Sequence, residues 1–215
     1  VTDPLGAYRL EVLPPEELPG AAELLARAFR DSPLNRAVIG GPAARRLRCN
    51  RVGMGVHLPG AAAGGELLAA RCGQRLAGVL VSVRSRDLPL PAPSLSGHLR
   101  LLWGQGLRVA SRWARVSEAL AANHWLGPHW YLATLGVEPA LQGRGVGNFL
   151  LRAWLSKVDA EGGRAYLETD ASENVRFYRR AGFAVWRGLS MLGVPITLME
   201  RPPARPLGGS RPGSA

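Results

Sequence analysis

The sequence predicts a mixed α/β sandwich, a central sheet with helices on both faces. Three observations lead there. From residue 131 onward, short apolar runs alternate with helical stripes: Tyr131–Leu135, then Val146, Leu150, Trp154 and Val158, then Ala165–Thr169. Earlier, Glu66–Arg71 and Arg75–Val83 flank a turn at Gly73-Gln74, the mark of a hairpin. Finally, a chain of 215 residues with 47% hydrophobic content can bury a core as one domain.

In chain order, Tyr8–Leu13 alternates as a first strand, and Gly20–Arg30 is a helix with Ala21, Leu24, Leu25, Ala28 and Phe29 on its apolar side. Asp31-Ser32-Pro33 breaks that helix, and a looser helical region follows over residues 42–57. The hairpin comes next, then a proline-rich connector over residues 87–93 and a helix over residues 97–122. The strand at Tyr131–Leu135 leads through Pro139 into a glycine-rich loop. The following helix carries Val146, Leu150, Trp154 and Val158, widened by Phe149, Leu151 and Leu155. Ala165–Thr169 is a strand, and Asp170 or Ser172 is the expected cap of a helix that stops at Gly182. Phe183–Trp186 resumes a strand. We expect one domain over residues 1–200 and a flexible Pro/Gly/Ser-rich tail over residues 201–215.

Composition narrows the function classes. No apolar run reaches the ~18 residues of a membrane span, and Val1-Thr2-Asp3-Pro4 lacks the basic and apolar stretches of a signal peptide. Cys49 and Cys72 fit free thiols, so a cytoplasmic protein is expected. The net charge of +11 invites a nucleic-acid reading. However, the basic residues other than Lys157 are all Arg, and they are spread from Arg9 to Arg211. The clusters Arg45, Arg46, Arg48, Arg51 and Arg108, Arg112, Arg115 read as solvated helix faces, with no docking motif beside them. A basic cleft would still draw in a polyanionic ligand. His57, His98, His124 and His129 show no metal-ligand spacing, and no metal is expected.

Gln142-Gly143-Arg144-Gly145-Val146-Gly147 carries the sharpest chemistry. A strand, a loop of small residues and a helix start together make an anion site. First-turn N–H groups lack intrahelical partners, the helix dipole is positive there, and glycine lets backbone approach phosphate. The spacing is G-x-G-x-G, not the G-x-G-x-x-G of dinucleotide folds, and G-x-x-x-x-G-K-[ST] is absent. The loop resembles the Q/R-x-x-G-x-G/A pyrophosphate loop of the GCN5-related N-acetyltransferases (GNAT). Asn174, Phe177, Tyr178, Gly182 and Phe183 form N-x-x-F-Y-x-x-x-G-F, similar to the second signature of that superfamily. The likeness is sharp over residues 129–188, where the wording is most like the puromycin-acetyltransferase-like branch.

The resemblance implies that the strand ending at Val137 and the strand at Ala165–Thr169 run parallel and splay apart to form an acyl-CoA cleft. Acetyl-CoA would be the acyl donor. Leu135, Gly136 and Val137 would meet the pantetheine arm, Gln142, Gly143, Arg144, Gly145, Val146 and Gly147 the pyrophosphate, and Asn174 would help hold the cofactor. Tyr178, four residues from Asn174 and on the same helical face, matches the family tyrosine that protonates the departing thiolate. Glu168 is the chosen base for the amine, with Glu138, Asp170 or a water-mediated route as alternatives.

Three functions are open: an N-acetyltransferase for a primary amine of a small molecule, an acyl-CoA-binding module without turnover, and a nucleic-acid-binding protein. Residues 30–58 and 87–128 are expected to build the acceptor pocket. Trp103, Trp113, Trp125 and Trp130 are read either as core packing or as the lining of an aromatic acceptor site.

Overall fold

The computed structural model describes residues 8–204, so residues 205–215 of the expected tail lie outside it. Seven strands form one sheet in the order β1-β2-β3-β4-β5-β7-β6. They are β1 (Arg9–Val12), β2 (Glu66–Cys72), β3 (Arg75–Arg84), β4 (Trp130–Val137), β5 (Ala165–Thr169), β6 (Ala184–Met191) and β7 (Val194–Arg201). Seven α-helices join them: α1 (Leu18–Ala28), α2 (Pro33–Ile39), α3 (Ala43–Gly64), α4 (Leu95–Gln105), α5 (Leu107–Ala122), α6 (Val146–Ala160) and α7 (Ser172–Arg180). The mixed α/β sandwich is as expected, and only the β4–β5 pair is parallel.

Strand alternation sorts side chains onto two faces. Leu80 and Leu167 face Leu150 and Trp154 of α6 and Tyr178 of α7. On the other face, Val79 and Val81 meet Leu24 and Leu25 of α1, while Tyr166 and Leu198 meet Val38 of α2 and Val116 of α5. Leu150, Leu151 and Trp154 are fully buried. Each such side chain contributes roughly 1.5–3 kcal/mol, so the four-residue stripe read in the sequence is what holds α6, and the loop before it, to the sheet.

Several boundaries differ from expectation. The helix expected over residues 42–57 continues to Gly64, through Pro59. The single helix expected over residues 97–122 is two, separated by Gly106 at φ 85°, a left-handed position that favours glycine. Neither Asp170 nor Ser172 caps α7; the cap position is Ala171 and Ser172 is already helical. Asp170 instead accepts the Leu34 N–H at 2.7 Å. After Met191 the chain turns at Leu192-Gly193 and returns as β7, whose last residue, Arg201, pairs with Asp159. Arg201 was expected to open the tail.

The arginine clusters are more than solvated faces. Arg46 binds Asp31 and the carbonyl of Arg30, and Arg51 binds Glu23. Arg112 donates to the carbonyls of Ala37 and Val38, and Arg45 to that of Ile39, satisfying the C-terminal end of α2. Part of the positive charge therefore ties helices together. Cys49 is buried, Cys72 is exposed, and both are free. No described helix is long and apolar enough to cross a membrane.

Candidate active site

β4 and β5 pair only at Trp130–Ala165, Tyr131–Tyr166 and Leu132–Leu167. Beyond Leu132, β4 remains paired with β3 through Val137, but β5 has diverged. The Glu138 N–H donates to the Ala77 carbonyl at 2.9 Å. Alternation along β4 then turns the Leu135 and Val137 backbone groups away from β3 and toward the splayed gap. The resulting cleft, about 640 Å³, is lined from β4, the glycine loop, α7 and the α1–α2 connection.

The loop closes one end of this cleft. Gly143 (φ 75°) and Gly145 (φ 89°) take left-handed backbone, and a Cβ built on either meets nothing within 4 Å. Gly145 is the N-cap of α6. The α6 first-turn N–H groups therefore front open space with no side chain in the way, a fit for a pyrophosphate. Gln142 donates Nε2 to the Val137 carbonyl at 3.2 Å, pinning the loop against the end of β4. The Tyr8 hydroxyl donates to the Arg144 carbonyl at 3.1 Å from the far edge of the sheet.

All the expected cofactor-contacting residues line the cleft except Arg144: Leu135, Gly136, Val137, Gln142, Gly143, Gly145, Val146, Gly147 and Asn174. The Arg144 side chain is exposed, and the part of Arg144 held in place is its carbonyl. Asn174 donates Nδ2 to Thr169 Oγ1 at 3.3 Å, tying α7 to the end of β5. Ala28, Phe29, Ser32 and Pro33 also line the cleft. The expected helix break at Asp31-Ser32-Pro33 and the expectation that residues 30–58 build the acceptor pocket both point to this wall, although neither places it at the end of β4. Phe177, from the second motif, and Asn148, just after the glycine loop, line it too.

Tyr178 lines the cleft from α7, its ring packed against Phe177 and Phe183 with centroids 5.0 and 5.8 Å away. Its hydroxyl has no hydrogen-bond partner among the described residues. Burial pushes the phenol pKa well above its usual value. The group is therefore a neutral O–H donor at any physiological pH.

Glu168 projects from the opposite face of β5, beside Tyr166, and does not line the cleft. Its Oε1 lies 3.4 Å from His124 Nδ1. His124 Nε2 is 2.9 Å from His129 Nε2, and His129 Nδ1 is 2.6 Å from the Gly127 carbonyl. A carbonyl only accepts, so His129 carries its proton on Nδ1 and accepts on Nε2. His124 then donates from Nε2. Glu168 Oε1 itself is buried and makes no hydrogen bond with any described residue. Burial first, and the Glu168 charge second, raise the phenol pKa values of neighbouring Tyr131 and Tyr166. Glu138 is bound by Arg27 through both carboxylate oxygens, at 3.3 and 2.7 Å. Asp170 lines the cleft with one oxygen on the Leu34 N–H.

Of the four tryptophans, Trp130 is core, Trp103 is exposed, Trp125 packs on Trp186, and Trp113 lines a separate cavity. Among the described residues, no three His, Cys, Asp or Glu side chains gather as metal ligands.

Comparison with known proteins agrees with this geometry. Residues 104–183 match the model of the acetyltransferase (GNAT) family. The fold is shared with an acetyltransferase from Corynebacterium glutamicum described as histone acetyltransferase HPA2 and related acetyltransferase. The match has 23% identity and a TM-score of 0.72, covering 94% of this chain and 99% of that one. Arylalkylamine N-acetyltransferase 2 from Aedes aegypti gives 13% identity and a TM-score of 0.61, covering 91% and 98% of the two chains. The ribosomal-protein-S18-alanine N-acetyltransferase from Escherichia coli gives 13% and 0.56, over 95% and 99%. The fold is thus one shared with acetyltransferases, and residues 104–183 resemble the GNAT family. The family match falls on the segment that carries the end of α4, α5, β4, the glycine loop, α6, β5 and α7.

Proposed function

We propose that the protein is an N-acetyltransferase that moves an acetyl group from acetyl-CoA to a primary amine of a small molecule by direct attack on the thioester. The observation that carries this is the convergence, in one cleft, of the β4 edge at Leu135 and Val137 left without a β5 partner, the open Gly143–Gly145 loop and the protonated Tyr178 phenol. Bound there, acetyl-CoA supplies an activated acyl group. The family match, the fold shared with enzymes whose names specify amine acceptors, and the puromycin-acetyltransferase-like wording of residues 129–188 support the same reading.

In this mechanism Leu135 and Val137 hold the amide arm through backbone N–H and C=O groups. The loop holds the pyrophosphate, assisted by Asn174. The acceptor ammonium gives one proton to Glu168, through water. The free amine forms an N–C bond to the acyl carbon as the C–S bond breaks. The sulfur takes the Tyr178 proton, and the phenolate recovers it from solvent or from the product amide nitrogen. Asp170 is a second candidate for the base because it lines the cleft. Glu168→Gln and Asp170→Asn, compared in kcat/KM against pH, tell the two apart. Glu138 is set aside because Arg27 holds both its oxygens.

The deciding experiment is a thermal-shift series of CoA thioesters, followed by thiol release with a panel of amines. Acetyl-CoA should raise the melting temperature at physiological salt, and at least one amine should release CoA. Binding without any amine turnover would favour the acyl-CoA-binding module. Duplex DNA should stabilise the protein only at low salt; salt-resistant, sequence-selective binding would favour the nucleic-acid reading.

A further inference from the structure

A second concavity, about 660 Å³, lies among α3, α4 and α5. That size suits a small organic molecule. It is formed by the two segments expected from the sequence to build an acceptor pocket. No Asp, Glu, Lys or Arg lines it, although 20% of the chain is charged. Met54, Leu101, Leu107 and Trp113 supply apolar wall.

Three buried amides, Asn35, Asn50 and Gln105, interrupt that wall, and His57 and His98 also border it; Asn35 is tied to the Ser32 hydroxyl, which leaves the other two. Asn50 is 4% exposed and donates Nδ2 to the Ala26 carbonyl at 3.2 Å; Gln105 is 8% exposed and donates Nε2 to the Cys49 carbonyl at 2.8 Å. Because a carbonyl can only accept, the nitrogen end of each amide is fixed on the protein. Asn50 Oδ1 and Gln105 Oε1 remain as acceptors with no partner among the described residues, and neither is sealed from open space. Buried acceptors of this kind are normally satisfied. Gly53 permits the arrangement, since a Cβ there would stand 2.8 Å from Gln105 Nε2. The cavity also adjoins the active cleft. Ser32 and Pro33 border the cleft at the start of α2, and Asn35, ~3 Å further along the helix axis, borders the cavity.

We propose that this cavity binds the uncharged body of the acceptor, an aryl or alkyl primary amine that also carries an N–H or O–H donor for Asn50 and Gln105. The role as acceptor site rests on the acetyl-transfer reading above, whereas the binding itself does not. An acceptor with a second cationic group would find no carboxylate in the cavity, so diamines are poor ligands.

Calorimetry on the full chain with tyramine, phenethylamine and putrescine tests this. Tyramine should bind more tightly than phenethylamine, and putrescine at least tenfold more weakly than either. Ala114→Phe, at an exposed position of α5 that borders the cavity, should narrow it and weaken both aryl amines at least tenfold. Gln105→Leu should remove the preference for tyramine. Acetyl-CoA affinity should stay unchanged in both variants. Putrescine binding as tightly as tyramine, or aryl-amine affinity unaltered by Ala114→Phe, would overturn the proposal. If wild type fails to bind acetyl-CoA while Ala114→Phe still abolishes aryl-amine binding, acetyl transfer falls and the cavity stands as a ligand site.

Discussion

Replacing Tyr178 by Phe isolates one O–H group. The ring is 7% exposed and wedged between Phe177 and Phe183, contacts that phenylalanine keeps. The hydroxyl bonds to no described residue, so its loss should change stability by less than ~1 kcal/mol. Burial keeps the phenol protonated, and general acid catalysis typically contributes 10²–10⁴-fold. A loss of ~10²-fold in kcat corresponds to ~2.7 kcal/mol of transition-state stabilisation. The assay is steady-state thiol release with a turned-over amine at saturating acetyl-CoA, alongside calorimetric acetyl-CoA binding. We expect kcat to fall ~10²-fold or more with acetyl-CoA affinity unchanged within about twofold. An unaltered kcat would mean that solvent or another group protonates the thiolate. Lost cofactor affinity with no separate effect on kcat would make Tyr178 a packing residue.

Gly145→Glu places a side chain at φ 89° and a negative charge at the start of α6; we expect acetyl-CoA binding to be abolished in a folded protein, measured by calorimetry. Gly136→Ala would drive a Cβ into Leu25, with Phe29 at 3.3 Å and Ala28 at 3.4 Å. It should cost ~1–3 kcal/mol, read as a melting-temperature drop of roughly 2–4 °C per kcal/mol. Burial raises the Tyr166 and Tyr178 phenols above their ordinary values, so the unfolded chain releases these protons first. Their stabilising contribution is complete below pH ~10 and declines above it by ~1.4 kcal/mol per pH unit for each phenol. Urea melts from pH 9 to 11 should show the decline, and Tyr178→Phe should lessen its slope.

The backbone of the glycine loop and its place at the start of α6 were legible because they are local. Gly143 and Gly145 are needed for backbone that a side chain would strain, the α6 stripe has a four-residue period, and Asn174 and Tyr178 share one helical turn. The β2–β3 hairpin was legible for the same reason, its alternation and Gly73 turn lying within a few residues. The long continuation of α3 was not, because Pro59 reads locally as a stop, yet Leu58 and Ala61 are buried on the sheet and hold the helix there. β7 was missed because its reason to be a strand is its pairing with β5 and β6.

By itself, then, the sequence determined the α/β class, the glycine loop and the β4 and α7 walls of the cleft, all set by residues within one helical turn or one strand of each other. Tertiary structure alone decided the rest. It brought Ala28 through Pro33 to the cleft, set His124 against Glu168 across 44 residues of chain, and gathered Asn50 and Gln105 into one apolar cavity. Those contacts depend on how helices pack across a sheet. Their geometry is fixed by the burial of distant surfaces, and no periodicity in the chain records it.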